Sequence, residues 1–230
     1  MIKFIKSLTI IEWLILMISI ISVVLSFILT KSHDYINLIA SIVGIIALIF
    51  IAKGNPFAQI LCIIFAIFYS IISYKFKYYG EAIIYVFIMM PLNICVFIKW
   101  LNNRSKTGEV LINNIKKYMY LIYLLVSIIL SIIIYFILRL LGTSNLIIST
   151  ISFTCSLYAA LLQIRRNKYY AVIYILNDLI LITLWSLAIK DDITYLPMLI
   201  CFISFLVNDI YGFINWNLLE RKQKRESNNN

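Results

Sequence analysis

Eight apolar stretches, each closed off by charges or turn residues, follow one another almost from end to end of this chain. They run over about 13–29, 35–52, 57–74, 82–98, 118–138, 146–164, 170–189 and 194–215. A helix needs roughly 17–20 apolar residues to cross the hydrocarbon core of a bilayer, and most of these stretches reach that length. They read apolar on all sides, with no wide solvated face. Hydrophobic residues make up 63% of the chain and charged ones 13%, against about 25% charged in soluble domains. A soluble domain of this size could not cover so much apolar surface, so lipid is its solvent. The many isoleucines do not argue against helix, because lipid forces every backbone group to bond internally. The fold class expected is an all-α membrane protein of eight transmembrane helices.

The basic residues divide unevenly between alternate loops. One side holds Lys3, Lys6, Lys53, Lys99, Arg104, Lys106, Lys116, Lys117, Arg165, Arg166, Lys168, Arg221, Lys222, Lys224 and Arg225. The other holds Lys31, Lys75, Lys77, Arg139 and Lys190. The positive-inside rule then puts both termini in the cytoplasm, a parity that eight spans satisfy and seven do not. Residues 13–29 follow Lys3 and Lys6 as a signal peptide would, but no small-residue cleavage site comes after them, so the reading keeps this helix. The net charge of +10 does not point to nucleic acid, because it is spread over loops rather than along one face.

The chain also carries an internal duplication. Asn93 precedes Trp100 by seven residues and Asp209 precedes Trp216 by the same spacing, each at the end of an apolar stretch. Similar turns open the two units, Ala52-Lys53-Gly54-Asn55-Pro56-Phe57 and Ile164-Arg165-Arg166-Asn167-Lys168-Tyr169. Two parallel three-helix repeats joined by one linker helix account for this. The expected organisation is an extra N-terminal helix over 1–34, a first repeat over 35–101, and a cytoplasmic connector with linker helix over 102–145. A second repeat over 146–217 and a disordered basic tail over 218–230 complete it.

Charged and amide side chains inside such spans are costly and mark function by default, a charge at the helix centre costing about 2.5–3.5 kcal/mol on insertion scales. Asp178 and its neighbour Asn177 lie roughly 12 Å deep, and Asn93 and Asp209 roughly 10 Å, at 1.5 Å per residue. Four polar groups on three helices thus reach one level. Helical spacing adds Tyr170, Tyr174 and Trp185 beside Asn177 and Asp178, Phe205, Gly212 and Trp216 beside Asp209, and Tyr85, Met89, Phe97 and Trp100 beside Asn93. Gln59 and Tyr69 are further candidates. The expected substrate-binding residues are Asn93, Asn177, Asp178, Gln59, Tyr174, Asp209 and Tyr170, with Trp100 and Trp216 stacking or gating. Aromatic faces with carboxylates suit a flat, cationic ring compound. Ser149, Ser152 and Ser156 read as a close-packing surface. Cys62, Cys95, Cys155 and Cys201 each sit alone in an apolar run and share no ligand spacing with His33, so no metal site is expected. No phosphate-binding loop or nucleophile motif is present, so no catalytic residue, cofactor or enzyme activity is expected.

Lys53 to Phe57, the Asn93–Trp100 spacing, Tyr170 through Asn177, and Gly212 through Trp216 together resemble the PnuC-type nicotinamide riboside transporters, over roughly Ile42 to Trp216. The chain departs from that pattern at Val86, Val96, Tyr170 and Ile173. The resemblance implies a 3+1+3 core similar to that of SWEET sugar facilitators and facilitated diffusion of a vitamin precursor across the cell's inner membrane. It also implies dependence on a cytoplasmic kinase that phosphorylates the substrate. Thiamine or another vitamin is the alternative substrate, and a non-transporting membrane scaffold is the alternative function; a homo-oligomer is compatible with either.

Overall fold

A computed structural model describes residues 8–105 and 107–228. Lys3, Lys6 and Lys106 lie outside the described residues. Eight helices there are long and apolar enough to cross a membrane. They are α1 (Ile10–Leu29), α2 (Tyr35–Ala52), α3 (Ala58–Lys75), α4 (Tyr79–Leu101), α5 (Lys117–Leu140), α6 (Leu146–Ile164), α7 (Tyr170–Asp191) and α8 (Ile193–Asn228). Among the described residues there is no strand, only one isolated antiparallel bridge between Arg104 and Val110. The expected all-helical membrane fold is the observed one.

Within α2–α4 and within α6–α8, each helix packs on the next. Between the two sets α2 packs on α8 and α4 on α6, so these six helices form a closed ring. α1 leans on α8 and α2 from outside, and α5 on α6. The turns 53–57 and 165–169, the connector and the end of α8 lie at one end of the ring, called the basic end below.

The sequence match between those two turns has a backbone cause. Gly54 (φ +65°) and Arg166 (φ +59°) both take the left-handed conformation that ends a helix. Asn55 Oδ1 then accepts from Phe57 N at 3.0 Å, and Asn167 Oδ1 from Tyr169 N at 3.1 Å. The same side-chain turn starts the next helix in both places.

α1 is fixed by one carboxylate. Glu12 closes a capping box with Thr9, accepts from Lys53 Nζ at 2.9 Å and from Tyr211 Oη at 2.8 Å. In lipid a buried carboxylate needs such partners, and here they come from three places in the fold.

The tail corrects the sequence reading. Residues 218–228 are not disordered: α8 continues as helix to Asn228. Its end is held by the connector, because Gln223 Oε1 accepts from Ile112 N and Gln223 Nε2 donates to Val110 O, both at 2.9 Å. Glu220 pairs with Lys168 at 2.8 Å and Lys224 at 2.6 Å, and accepts from Asn114 at 2.7 Å. Charge composition alone suggested a solvated tail, whereas tertiary partners order it. Asn229 and Asn230 lie outside the described residues.

Glu12→Gln keeps the shape and removes the charge that Lys53 and Tyr211 face. Partial exposure of the lysine screens the pair, so the expected loss is about 1–3 kcal/mol rather than the larger cost of breaking a fully buried pair. Thermal unfolding of the purified protein in detergent, followed by tryptophan fluorescence, should show a lower midpoint.

Candidate functional site

The ring of helices holds a small cavity of about 80 Å³, below the roughly 300–1,000 Å³ usual for open small-molecule sites. Its walls combine the aromatic Phe65, Tyr85, Tyr174, Phe202 and Phe205 with aliphatic side chains, and its polar groups are Asn93, Gln163, Asn177, Asp178 and Asp209. No lysine, arginine or histidine lines it.

Each polar group is set by its helix. Asn93 follows a π-helical turn, Tyr85–Met89, in which Met90 N bonds back to Tyr85 O. Pro91 lies just beyond and has no N–H to donate, which favours a break in the α ladder there. The wider turn brings Tyr85, Met89 and Asn93, at successive offsets of four, onto the cavity wall together. On α7, Tyr174, Asn177, Asp178 and Leu181 follow offsets of three and four and line the cavity side by side. Ser152 of α6 donates to Asn177 Oδ1 at 3.1 Å, so one serine of the packing series also orients a cavity residue. Asp178 and Asp209 lie within hydrogen-bonding reach of each other. Asp178 Oδ2 and Gln163 Nε2 are buried with no hydrogen-bond partner. Unsatisfied buried polar atoms at a cavity wall are what an absent ligand would leave behind.

Aromatic clusters close both ends. At the basic end the Trp216 ring lies 5.2 Å from Trp100 and 4.8 Å from Tyr170, and all three side chains are buried. Trp100 Nε1 donates across to Gln163 O at 2.9 Å and Trp216 Nε1 to Ile51 O at 3.0 Å. At the opposite end Trp185 Nε1 donates to Tyr69 Oη at 3.0 Å, and Tyr78 Oη donates to Leu184 O at 3.1 Å.

The structure thus brings Asn93, Tyr174, Asn177, Asp178 and Asp209 together at one cavity. Tyr170, Trp100 and Trp216 form its floor at the basic end instead of its wall. Gln59 is a correction: it is fully buried with both amide atoms unpartnered but does not line the cavity. It precedes Cys62, which does, by one helical turn and so lies below the cavity toward the basic end. Phe97 points away and packs on Phe57 at 5.9 Å. Gln163 was not anticipated, because it sits beside a basic turn and reads as the end of a span. The offset of eleven from Tyr174, whose hydroxyl it accepts at 3.3 Å, crosses that turn and follows no helical period.

The sequence profile of the family described as nicotinamide mononucleotide transporter matches residues 34–218. The chain is 27% identical over 160 residues to the nicotinamide riboside transporter PnuC of Neisseria mucosa. That match covers 67% of this chain and 61% of the relative's length. The crystal structure of the vitamin B3 transporter PnuC superposes with a TM-score of 0.83 at 23% identity, over 94% of each chain. The fold of the two is the same.

Gly44 offers a direct test of the cavity wall. A methyl group there would stand 2.5 Å from the Phe205 ring and 2.9 Å from the Phe65 ring, both of which line the cavity. Gly44→Ala should push these rings inward and weaken ligand binding at least severalfold. The rings yield into open space, so the stability cost should stay at the low end of the roughly 1–3 kcal/mol of overpacking. Calorimetric binding and thermal unfolding of the same sample separate the two effects.

Proposed function

We propose that this chain, which belongs to the nicotinamide mononucleotide transporter family by its match over residues 34–218, carries nicotinamide riboside into the cell as a multi-pass membrane transporter. The observation that carries this reading is the charge of the cavity. It holds two carboxylates, Asp178 and Asp209, and no basic side chain. A mononucleotide would place its phosphate against these carboxylates with no counter-charge. At 4 Å and an effective dielectric near 20, each such like-charge pair costs about 4 kcal/mol. The riboside lacks the phosphate and carries a cationic pyridinium ring, so the same groups attract it. The aromatic walls suit the ring's faces, and Asn93, Asn177 and Gln163 suit the carboxamide and ribose hydroxyls.

The unpartnered Asp178 Oδ2 and Gln163 Nε2 on the cavity wall speak against a scaffold, whose polar groups would all be paired. Residues 35–101 and 146–217 act as two parallel repeats on either side of the substrate, with 102–145 linking them and the helix of residues 1–34 bracing the outside. Transport runs down the substrate gradient as the clusters at the two ends open in turn. The basic end faces the cytoplasm. Phosphorylation there by a cytoplasmic kinase makes uptake one-way, because the phosphate ester is repelled by the cavity that released its precursor.

Purified protein should bind nicotinamide riboside and fail to bind its 5′-phosphate at a hundredfold higher concentration. Equal binding of both would remove the charge argument. Thiamine, also a ring cation, is the control that decides between substrates of one charge. Asp178→Asn should weaken riboside binding tenfold or more, while an uncharged vitamin such as riboflavin loses nothing by it. For orientation, a single cysteine at position 105 in a cysteine-free background should resist an impermeant thiol reagent in intact cells. Ser32 on the other side is buried, so the matching cysteine belongs at its exposed neighbour, position 33, where it should react.

A further inference from the structure

A third carboxylate, absent from the sequence-derived site, lies in the first turns of α4, at the end of the bundle opposite the basic end, and does not itself line the cavity. Glu81 is 1% exposed in the first turns of α4 and its Oε1 has no hydrogen-bond partner. Among the described residues no cation pairs with it. Tyr85, one turn further along the same helix, lines the cavity, and its ring lies 4.4 Å from that of Tyr69. Ser152 stands within reach of Glu81. The single O–H of Ser152 is given to Asn177 Oδ1, so it cannot serve the glutamate at the same time. Glu81 therefore adjoins the cavity through two neighbours, lacks a counter-charge, and has aromatic rings between it and Asp178.

We propose that Glu81 is a recognition site for the substrate's cationic ring, occupied on the way between the end opposite the basic end and Asp178. The proposal rests on the transport reading above and adds to it a residue that determines charge selectivity. A buried carboxylate with no partner is costly in lipid, and removing its charge should relieve the empty protein. A binding role and a structural role therefore predict opposite effects on stability, as expected where function is kept at the expense of stability.

The experiment compares uptake of nicotinamide riboside with that of its reduced dihydropyridine form, which has nearly the same size and no charge, by the full chain in liposomes. Glu81→Gln should raise KM for the charged riboside about tenfold, leave the neutral form unchanged, and leave the thermal midpoint equal or higher. Glu81→Asp keeps the charge and should retain most of the selectivity. Equal losses for both substrates, or a Gln variant that fails to fold while the Asp variant folds, would make Glu81 structural and overturn the proposal. Unchanged kinetics for both substrates would overturn it as well. Those three outcomes leave the transport function standing. If the unsubstituted chain carries no riboside at all, the function itself fails, and this role of Glu81 falls with it.

Discussion

Two indole N–H groups hold the helical ring closed at its basic end. Trp100 of α4 bonds to the carbonyl of Gln163 at the end of α6, and Trp216 of α8 bonds to the carbonyl of Ile51 at the end of α2. Each bond crosses one of the two seams between the helix sets, from the last helix of one set to the first helix of the other. Each carbonyl already accepts the N–H of the turn that follows, Gly54 N on Ile51 O at 2.8 Å and Arg166 N on Gln163 O at 2.9 Å, and its second lone pair takes the indole. The left-handed residues Gly54 and Arg166 end those helices at matching places, so the sharp turns and the indoles are parts of one device. In a bundle without a hydrophobic driving force between helices, such bonds and close packing set the arrangement. Gly212, one turn before Trp216, faces Ala52 of α2, and a methyl group there would meet it at an ordinary contact of 3.6 Å.

The connector extends this closure beyond the lipid. Val110 N bonds to Gly54 O at 2.9 Å and Asn113 N to Arg166 O at 3.1 Å, so one extended segment fastens both turns. Gln223 then ties the segment to α8. A movement that opens the floor must shift the seams, and the connector links the two turns through which such a shift would pass.

Much of this was legible in the sequence, for identifiable reasons. The eight spans follow from length and hydropathy, which lipid enforces more strictly than water does, and their bounds differ from the observed ones by only a few residues, except that the last helix runs on to Asn228. Asn93, Asn177, Asp178 and Asp209 could be found because a polar residue in a span is conspicuous. The structure gathers them at one cavity because equal depth on adjacent helices brings side chains together. Gln59 was misplaced because depth in a span does not fix height relative to a cavity floor, which the bulky Trp100, Tyr170 and Trp216 raise. The π-helical turn in α4 left only Pro91 as its trace. Glu81 escaped notice because it stands at the edge of its apolar run, where a carboxylate reads as a solvated boundary. The ordered end of α8 escaped because its connector partners Val110, Ile112 and Asn114 are more than one hundred residues away in the chain.

The five carboxylates buried among the described residues divide into two kinds, Glu12 and Glu220 with basic partners and Glu81, Asp178 and Asp209 without. Glu12 is as buried as any of them, yet it has a lysine, a tyrosine hydroxyl and its own helix cap as partners. Its charge is satisfied within the protein, and it fastens a helix. Glu81, Asp178 and Asp209 have no basic partner among the described residues, and two of them keep an oxygen with no hydrogen bond at all. Lysines are plentiful in this chain, so cations were available to the fold, but they stand at the helix ends and away from the cavity. A bundle selected only for stability would carry apolar residues at those three positions, since replacing buried charge by packed hydrocarbon is neutral or favourable. Their presence without partners makes sense when the missing positive charge arrives with the substrate and leaves with it.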